Sequence, residues 1–235
     1  HSLGLLYSAF TSYCGFEVND GEYKLMGLAP YGEPEFADLI QQKLVEVRPD
    51  GSLWLDMSYF EFGRGRTMTS RKFHCLLGGP PRRPDAVIET RHLNLAASIQ
   101  QVLESIVLCM AHHVHEQTSA KKLCLAGGVA LNCVANGKLL RESPFQNLWI
   151  QPAAGDAGGA LGAALFVWHQ LLGNSRKPKR SDAMAGSLLG PAFSTSEVKA
   201  LLLNEDAPFE EFPDEDSLCD HVAKLLTQRK VVGWF

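Results

Sequence analysis

Lys122-Leu123-Cys124-Leu125-Ala126-Gly127-Gly128-Val129-Ala130-Leu131-Asn132 decides the fold reading. A short run of strand composition ends in paired glycines, and helical spacing follows over Ala130–Arg141. The pattern then repeats. Leu148-Trp149-Ile150 reads as a second strand and runs into Pro152-Ala153-Ala154-Gly155-Asp156-Ala157-Gly158-Gly159, with a small-residue helix over 160–172 behind it. Upstream, Leu95–Gln117 is a long helix rich in Leu, Ile, Val and Ala, with Asn94 as its N-cap. Helix–strand–helix–strand–helix at these spacings predicts a parallel α/β sheet. Parallel strands bring both glycine turns to one sheet edge, where ligands bind in such folds.

Further out, residues 2–16 read as a buried helix and Glu35–Val47 has helical spacing. Pro49-Asp50-Gly51 is a turn signal before a short strand, Ser52–Leu55. Residues 56–91 show no readable period. Gly173–Pro191, with the basic run Arg176-Lys177-Pro178-Lys179-Arg180, reads as a solvated linker. Beyond it Ser194 or Ser196 caps a helix to about Leu203, Asp214 or Asp216 starts another through Arg229, and Val231–Phe235 has strand composition. The expected organisation is a first domain over 1–172, a linker over 173–192, and the beginning of a further domain over 193–235. The opening at His1 and the strand-like close suggest a piece of a longer protein, truncated at both ends.

Of 235 residues, 46% are hydrophobic and 20% charged, which excludes a disordered or collagen-like chain. With 22 basic and 26 acidic residues the formal net charge is −4, so a broad phosphate-backbone footprint is not expected, and neither is a nucleic-acid partner. No unbroken apolar run suggests a membrane span. Cys14, Cys109, Cys124 and Cys133 lie in apolar stretches, and no C-x-x-C pair occurs. That predicts buried, reduced thiols in a cytoplasmic protein.

Three segments carry candidate chemistry. Gly127 and Gly128 let a ligand approach the backbone at a strand end, and Asn132 stands on the next turn; the same glycines equally suit a tight turn needing positive φ. Asp156 is the one ionisable side chain between Glu142 and His169, suited either to hold a cation or to cap a helix. Asn19-Asp20-Gly21-Glu22-Tyr23-Lys24-Leu25-Met26-Gly27-Leu28-Ala29-Pro30-Tyr31-Gly32 packs acid, phenol and amine beside two turns, suited to phosphate and ribose or simply to a charged surface loop. The Gly155 turn lacks the serine of an esterase elbow. His112, His113 and His115 lack the i, i+4 spacing of helical zinc ligands.

These segments, with His1–Phe10 and Ala97-Ser98-Ile99-Gln100, together resemble the nodulation-protein-U type O-carbamoyltransferases over residues 1–172. Residues 193–235 are similar to the entry of that family's C-terminal, YrdC-like domain. The resemblance implies an α/β fold of the ribonuclease-H-like, actin-like ATPase kind, with a mixed sheet flanked by helices, of which this chain is the second lobe. It implies ATP and carbamoyl phosphate as substrates, a carbamoyl-adenylate intermediate, a divalent metal (Fe, Mg or Mn), and transfer to a hydroxyl of a small molecule. It puts the metal and a catalytic role on Asp156, a second catalytic role on Lys24, and nucleotide contacts on Glu22, Gly32, Gly127, Gly128 and Asn132. A tRNA threonylcarbamoyl transferase or a kinase of the actin-like superfamily is the alternative enzyme. An inactive nucleotide- or partner-binding piece is the non-enzymatic one. A lobe cut from its neighbour is expected to be inactive alone, to expose an apolar face and to self-associate, for instance as a homodimer.

Overall fold

The computed structural model describes residues 1–65, 67–177, 182 and 184–234. Its elements run α1 (Leu3–Tyr13), α2 (Glu22–Leu28), α3 (Ala37–Lys43), β1 (Val45–Val47), β2 (Leu53–Leu55), α4 (Arg71–Leu76), α5 (Thr90–Thr118), β3 (Lys122–Leu125), α6 (Cys133–Glu142), β4 (Asn147–Ile150), α7 (Gly158–Phe166), α8 (Thr195–Asn204) and α9 (Glu215–Thr227). Two bodies result, His1–Lys177 and Pro178–Phe235.

The first body is built on α5 and α1. Ser2 caps α1 by accepting the Leu5 N–H (3.2 Å), and Leu6, Phe10 and Tyr13 are fully buried on its inner side. Phe10 and Tyr13 both meet the Phe73 ring edge-on at 5.2 Å, and Phe60 closes the cluster at 5.8 Å from Phe73. Along α5, Leu95, Ile99, Val102, Leu103 and Ile106 complete this core. By length and composition α5 is apolar enough to cross a membrane, contrary to the reading of the sequence, but more than half of its most apolar window is buried within the fold.

The long helix starts earlier than Asn94. Glu89 and His92 form a reciprocal capping box in which His92 Nδ1 accepts the Glu89 N–H (3.0 Å), so Thr90 is already helical. Asn94, freed from capping, accepts the Glu33 N–H (2.9 Å) and donates to Glu35 (2.8 Å), while Ser98 accepts the Phe36 N–H (2.9 Å). These bonds hold the 33–36 segment on α5. The helix expected over Glu35–Val47 ends at Lys43, because Val45–Val47 pairs antiparallel with Leu53–Leu55 and tertiary pairing overrides the helical spacing.

Two arginines organise the stretch that carried no period. Arg82 donates to the carbonyls of Cys14 (2.6 Å), Pro84 (3.2 Å) and Ala86, and Arg91 to those of Leu77 (3.1 Å) and Pro80 (3.3 Å). Five guanidinium donors suit a loop whose carbonyls have no ladder partner.

Past α5 the parallel pair appears as predicted, in the register Lys122↔Asn147 to Leu125↔Ile150. Among the described residues, however, the strands form two separate two-stranded sheets rather than one mixed sheet. The helix expected from Ala130 is preceded by a 3-10 turn, Gly128–Leu131, and begins at Cys133, where the Asn132 side chain caps it. The helix expected over 160–172 is α7 followed by a π turn, Val167–Leu171. Cysteine burial is the larger correction. Cys14 is buried, which pushes its thiol up to about 12, but Cys109 is half-buried and Cys124 and Cys133 are exposed. Cys124 lies on the open face of its strand, opposite Leu123 and Leu125, which pack against Ala111, Leu139 and Phe145.

The second body holds α8, with a Ser194–Glu197 capping box, and α9, capped by Asp214. Residues 231–234 form no strand, since a strand needs a ladder and none is offered among the described residues. Residues 178–180 of the basic run, and Phe235, lie outside the described residues.

Candidate functional site

The parallel pair brings its two turns to one end. Gly127, at φ 95°, donates its N–H to the Ala154 carbonyl (2.8 Å), which ties the turn after β3 to the turn after β4. Only glycine adopts that φ without strain. A Cβ at Gly127 or Gly128 would meet nothing within 4 Å, so neighbouring atoms do not demand the absent side chains and the backbone is open to approach.

A cavity of about 580 Å³ opens against these turns. Its lining includes Gly128, Asn132 and Asp156, together with Glu22 at the start of α2 and Tyr7 and Ser8 from α1. Leu5, Met26, Leu103, Val129 and Leu131 supply apolar wall. Residues 132 and 156 meet at the sheet edge that the parallel pair predicts, and tertiary structure alone adds residue 22 from far along the chain. A separate cavity of about 770 Å³ beside His1, Lys43 and Trp54 contains none of the candidate residues.

Each candidate has a distinct surrounding. Glu22 Oε1 accepts from Ser8 Oγ (2.6 Å) and from the Asn19 N–H (3.2 Å), which leaves Oε2 without a partner among the described residues. Asn132 is buried at 8% exposure, and its Oδ1 accepts the Ala135 N–H (2.9 Å) at the start of α6. Asp156 is exposed and caps nothing, since α7 starts after Ala157 without a side-chain cap. Its carboxylate has no hydrogen bond or ion pair among the described residues.

Lys24, Gly32 and Gly127 do not line the cavity. Lys24 pairs with Asp20 at 3.3 Å, both side chains well exposed, and that hydrogen bond raises the lysine above its ordinary range. Asp20 itself lines the cavity, so Lys24 stands one side chain behind the rim. Gly32 packs against α5, where a Cβ would fall 2.1 Å from the Leu93 carbonyl oxygen; this close approach accounts for the glycine. Tyr7 lines the cavity with its hydroxyl donating to Gln100 Oε1 (3.0 Å), and burial pushes its pKa well up, which keeps the phenol protonated.

The charged residues lining the cavity are Asp20, Glu22 and Asp156, all acidic. Among the described residues no three His, Cys, Asp or Glu side chains converge as a metal cluster. Asp156 thus offers one carboxylate outside any such cluster, and an ion there would need further ligands from beyond these residues, whether protein, substrate or water. That is the usual way magnesium is held beside phosphates.

Reading the sequence missed Tyr7, Ser8, Gln100 and Glu104. The last two stand four apart on α5, in helical register with Ala96 and Leu103, and a polar pair on that apolar face is the signal that could have found them.

Residues 1–165 match the family described as carbamoyltransferase N-terminus. An uncharacterized protein of Synechocystis sp. is 56% identical over 237 aligned residues, covering all of this chain and 38% of its own length. Nodulation protein NolNO of Sinorhizobium fredii is 37% identical over 99% of this chain and 32% of its own. Nodulation protein NolO of Bradyrhizobium diazoefficiens is 34% identical over the whole chain and 40% of its own. The chain thus spans about a third to two-fifths of the curated relatives it matches.

Proposed function

The chain belongs to the carbamoyltransferase N-terminus family, and on that premise we propose that it carries the nucleotide site of an ATP-dependent O-carbamoyltransferase. Such an enzyme forms carbamoyl-adenylate from ATP and carbamoyl phosphate, with water taken up and pyrophosphate and phosphate released, and passes the carbamoyl group to a hydroxyl of a small molecule with AMP as the leaving group. One observation carries the reading: Glu22, Asn132 and Asp156 line a single cavity beside two glycine turns. The α/β arrangement of the first body is compatible with one lobe of an actin-like, ribonuclease-H-like fold.

The roles follow from the surroundings. Glu22 Oε2 accepts from ribose hydroxyls while Ser8 and Asn19 steady the other oxygen. The bare backbone at Gly128 lets phosphate or adenylate oxygens come close, while Gly127, its N–H already given to Ala154, shapes the turn. Lys24 meets phosphate oxygens from behind Asp20 by exchanging its carboxylate partner for a phosphate. An acidic lining repels free ATP and accepts it only with its charge balanced, which favours a nucleotide carrying a divalent cation. Bound through Asp156, a divalent cation supplies charge neutralisation to the phosphates and polarises the carbamoyl carbonyl.

The test is made on the full-length protein, with carbamoyl-adenylate formation and carbamoyl transfer read separately in wild type, Asp156→Ala and Asn132→Ala. Loss of transfer by about 100-fold or more is expected for Asp156→Ala, the size seen when one electrostatic contact to a reacting group is removed. If both activities survive both substitutions, the two turns are structural and the reading fails.

A further inference from the structure

Gln100 is buried at 4% exposure, yet all of its amide valences are used. Its Oε1 accepts from Tyr7 (3.0 Å) and from Asn132 Nδ2 (2.9 Å). Its Nε2 donates to Asn132 Oδ1 (3.0 Å) and to Glu104 Oε1 (2.9 Å). Lys138 on α6 in turn holds Glu104 Oε2 at 3.2 Å. The two amides therefore face each other in a reciprocal pair, bridging α5 to the residue that caps α6.

We propose that Gln100, oriented by Glu104, is a positioning residue that fixes the polarity of the Asn132 amide, so that Asn132 offers the cavity a hydrogen-bond donor and selects an accepting atom on the ligand. The orientation is set from both ends of the pair. The Ala135 N–H can only donate, so it requires Asn132 Oδ1 to face it. The Glu104 carboxylate only accepts, so it requires Gln100 Nε2 to face it. A turn of either amide would set donor against donor or acceptor against acceptor. Asn132 Oδ1 then has both lone pairs occupied, while the second N–H of Nδ2 lies toward the Tyr7 hydroxyl, which lines the same cavity, without a hydrogen bond of full geometry among the described residues. The residue lines the cavity, so that N–H is what it has to give. The matching ligand chemistry is an acceptor: a ring nitrogen, a ribose oxygen or a phosphate oxygen of a nucleotide.

This inference rests on the nucleotide reading above, and the experiment separates the two. Magnesium–ATP affinity, KM for ATP and kcat are measured on the full-length protein, with melting in the absence of nucleotide as the structural control. Gln100→Leu is expected to raise the ATP Kd and KM about tenfold, the worth of one well-placed hydrogen bond, with kcat at saturating ATP nearly kept. Gln100→Glu, which sets two carboxylates side by side, should lose as much. Asn132→Asp keeps an oxygen for the Ala135 N–H but replaces the donor, and should bind ATP no better than Asn132→Ala. The positioning role is overturned if a folded Gln100→Leu binds ATP like wild type while Asn132→Ala does not. Should Gln100→Leu fail to fold, the near-isosteric Gln100→Met, which also lacks the amide, takes its place, and wild-type ATP affinity there overturns the role instead. Wild-type ATP affinity in Asn132→Asp overturns the donor assignment. Wild-type affinity in Asn132→Ala overturns the nucleotide reading itself.

Discussion

Helices α1 and α7 belong to the same body and have opposite fates. α1 mixes Leu, Phe and Tyr with Ser and Thr and buries most of its length, with Leu6, Phe10 and Tyr13 wholly enclosed. α7 consists of Gly, Ala, Leu and Phe alone, yet none of its residues is buried among the described residues. Phe166 is 65% exposed, and the π turn that follows exposes Trp168 and Leu171. Composition qualifies a segment for burial, but only a neighbour delivers it. α1 has α5 and the aromatic cluster of Phe60 and Phe73. α7 follows a parallel strand pair with no third strand beside it among the described residues, whereas parallel sheets are normally covered on both faces. The open apolar surface is of the kind that marks an interaction site.

The contrast is tested most strongly by truncating one phenylalanine in each helix. Phe10→Ala should cost about 3–5 kcal/mol in denaturant unfolding, as an enclosed aromatic leaves a cavity among packed rings. Phe166→Ala should cost less than about 0.5 kcal/mol, as an exposed site does. Equal losses would mean that α7 is packed in solution and that the comparison is misdrawn.

A smaller effect concerns how the α5 side is held. His92 is buried at the start of α5, and burial, followed by the neighbouring Arg91, pulls its pKa below the ordinary histidine value. Glu89 and Arg82 are the other charged groups that act on it. The folded state therefore resists protonation more than the unfolded chain. Stability contributed by neutral His92 is present above the unfolded pKa of about 6.5 and is lost as pH falls through it, by no more than about 1.4 kcal/mol per pH unit for one proton. His92→Gln keeps a capping-box residue at that position and should flatten the decline between pH 7 and 5. An unchanged pH profile would assign the decline to other groups.

The smallest effect sits on the α7 side. The chain should associate with itself at high concentration through the exposed face, and Trp168→Lys should weaken that association several-fold, or about 1 kcal/mol. Light scattering showing a clean monomer at every concentration would remove the interaction surface from the comparison.

Much of the fold was legible because its signals are local. The strand–glycine–helix units at Lys122 and Asn147, the Ser194 and Asp214 caps, and the short strand at Leu53 each depend on a few adjacent residues and on backbone preferences that act at short range. Where local signals conflicted, distant partners decided. Asn94 is as good a cap as Glu89, but it bonds the segment at Glu33, and the helix starts without it. Cys124 has buried-strand surroundings in sequence and the open face of a strand in space.

The site divides along the same line. Read from residues alone, Gly127, Gly128, Asn132 and Asp156 stand at strand ends, a position that follows from periodicity and turn chemistry. That Glu22 joins Asn132 and Asp156 in one cavity, that Lys24 and Gly32 stand outside it, and that Gln100 grips the Asn132 amide were decided only by tertiary structure. Periodicity says which face of an element seeks burial. It carries no information about which residue, many positions away, will complete a buried hydrogen bond, because that pairing is chosen when whole elements pack and every enclosed donor must find its acceptor.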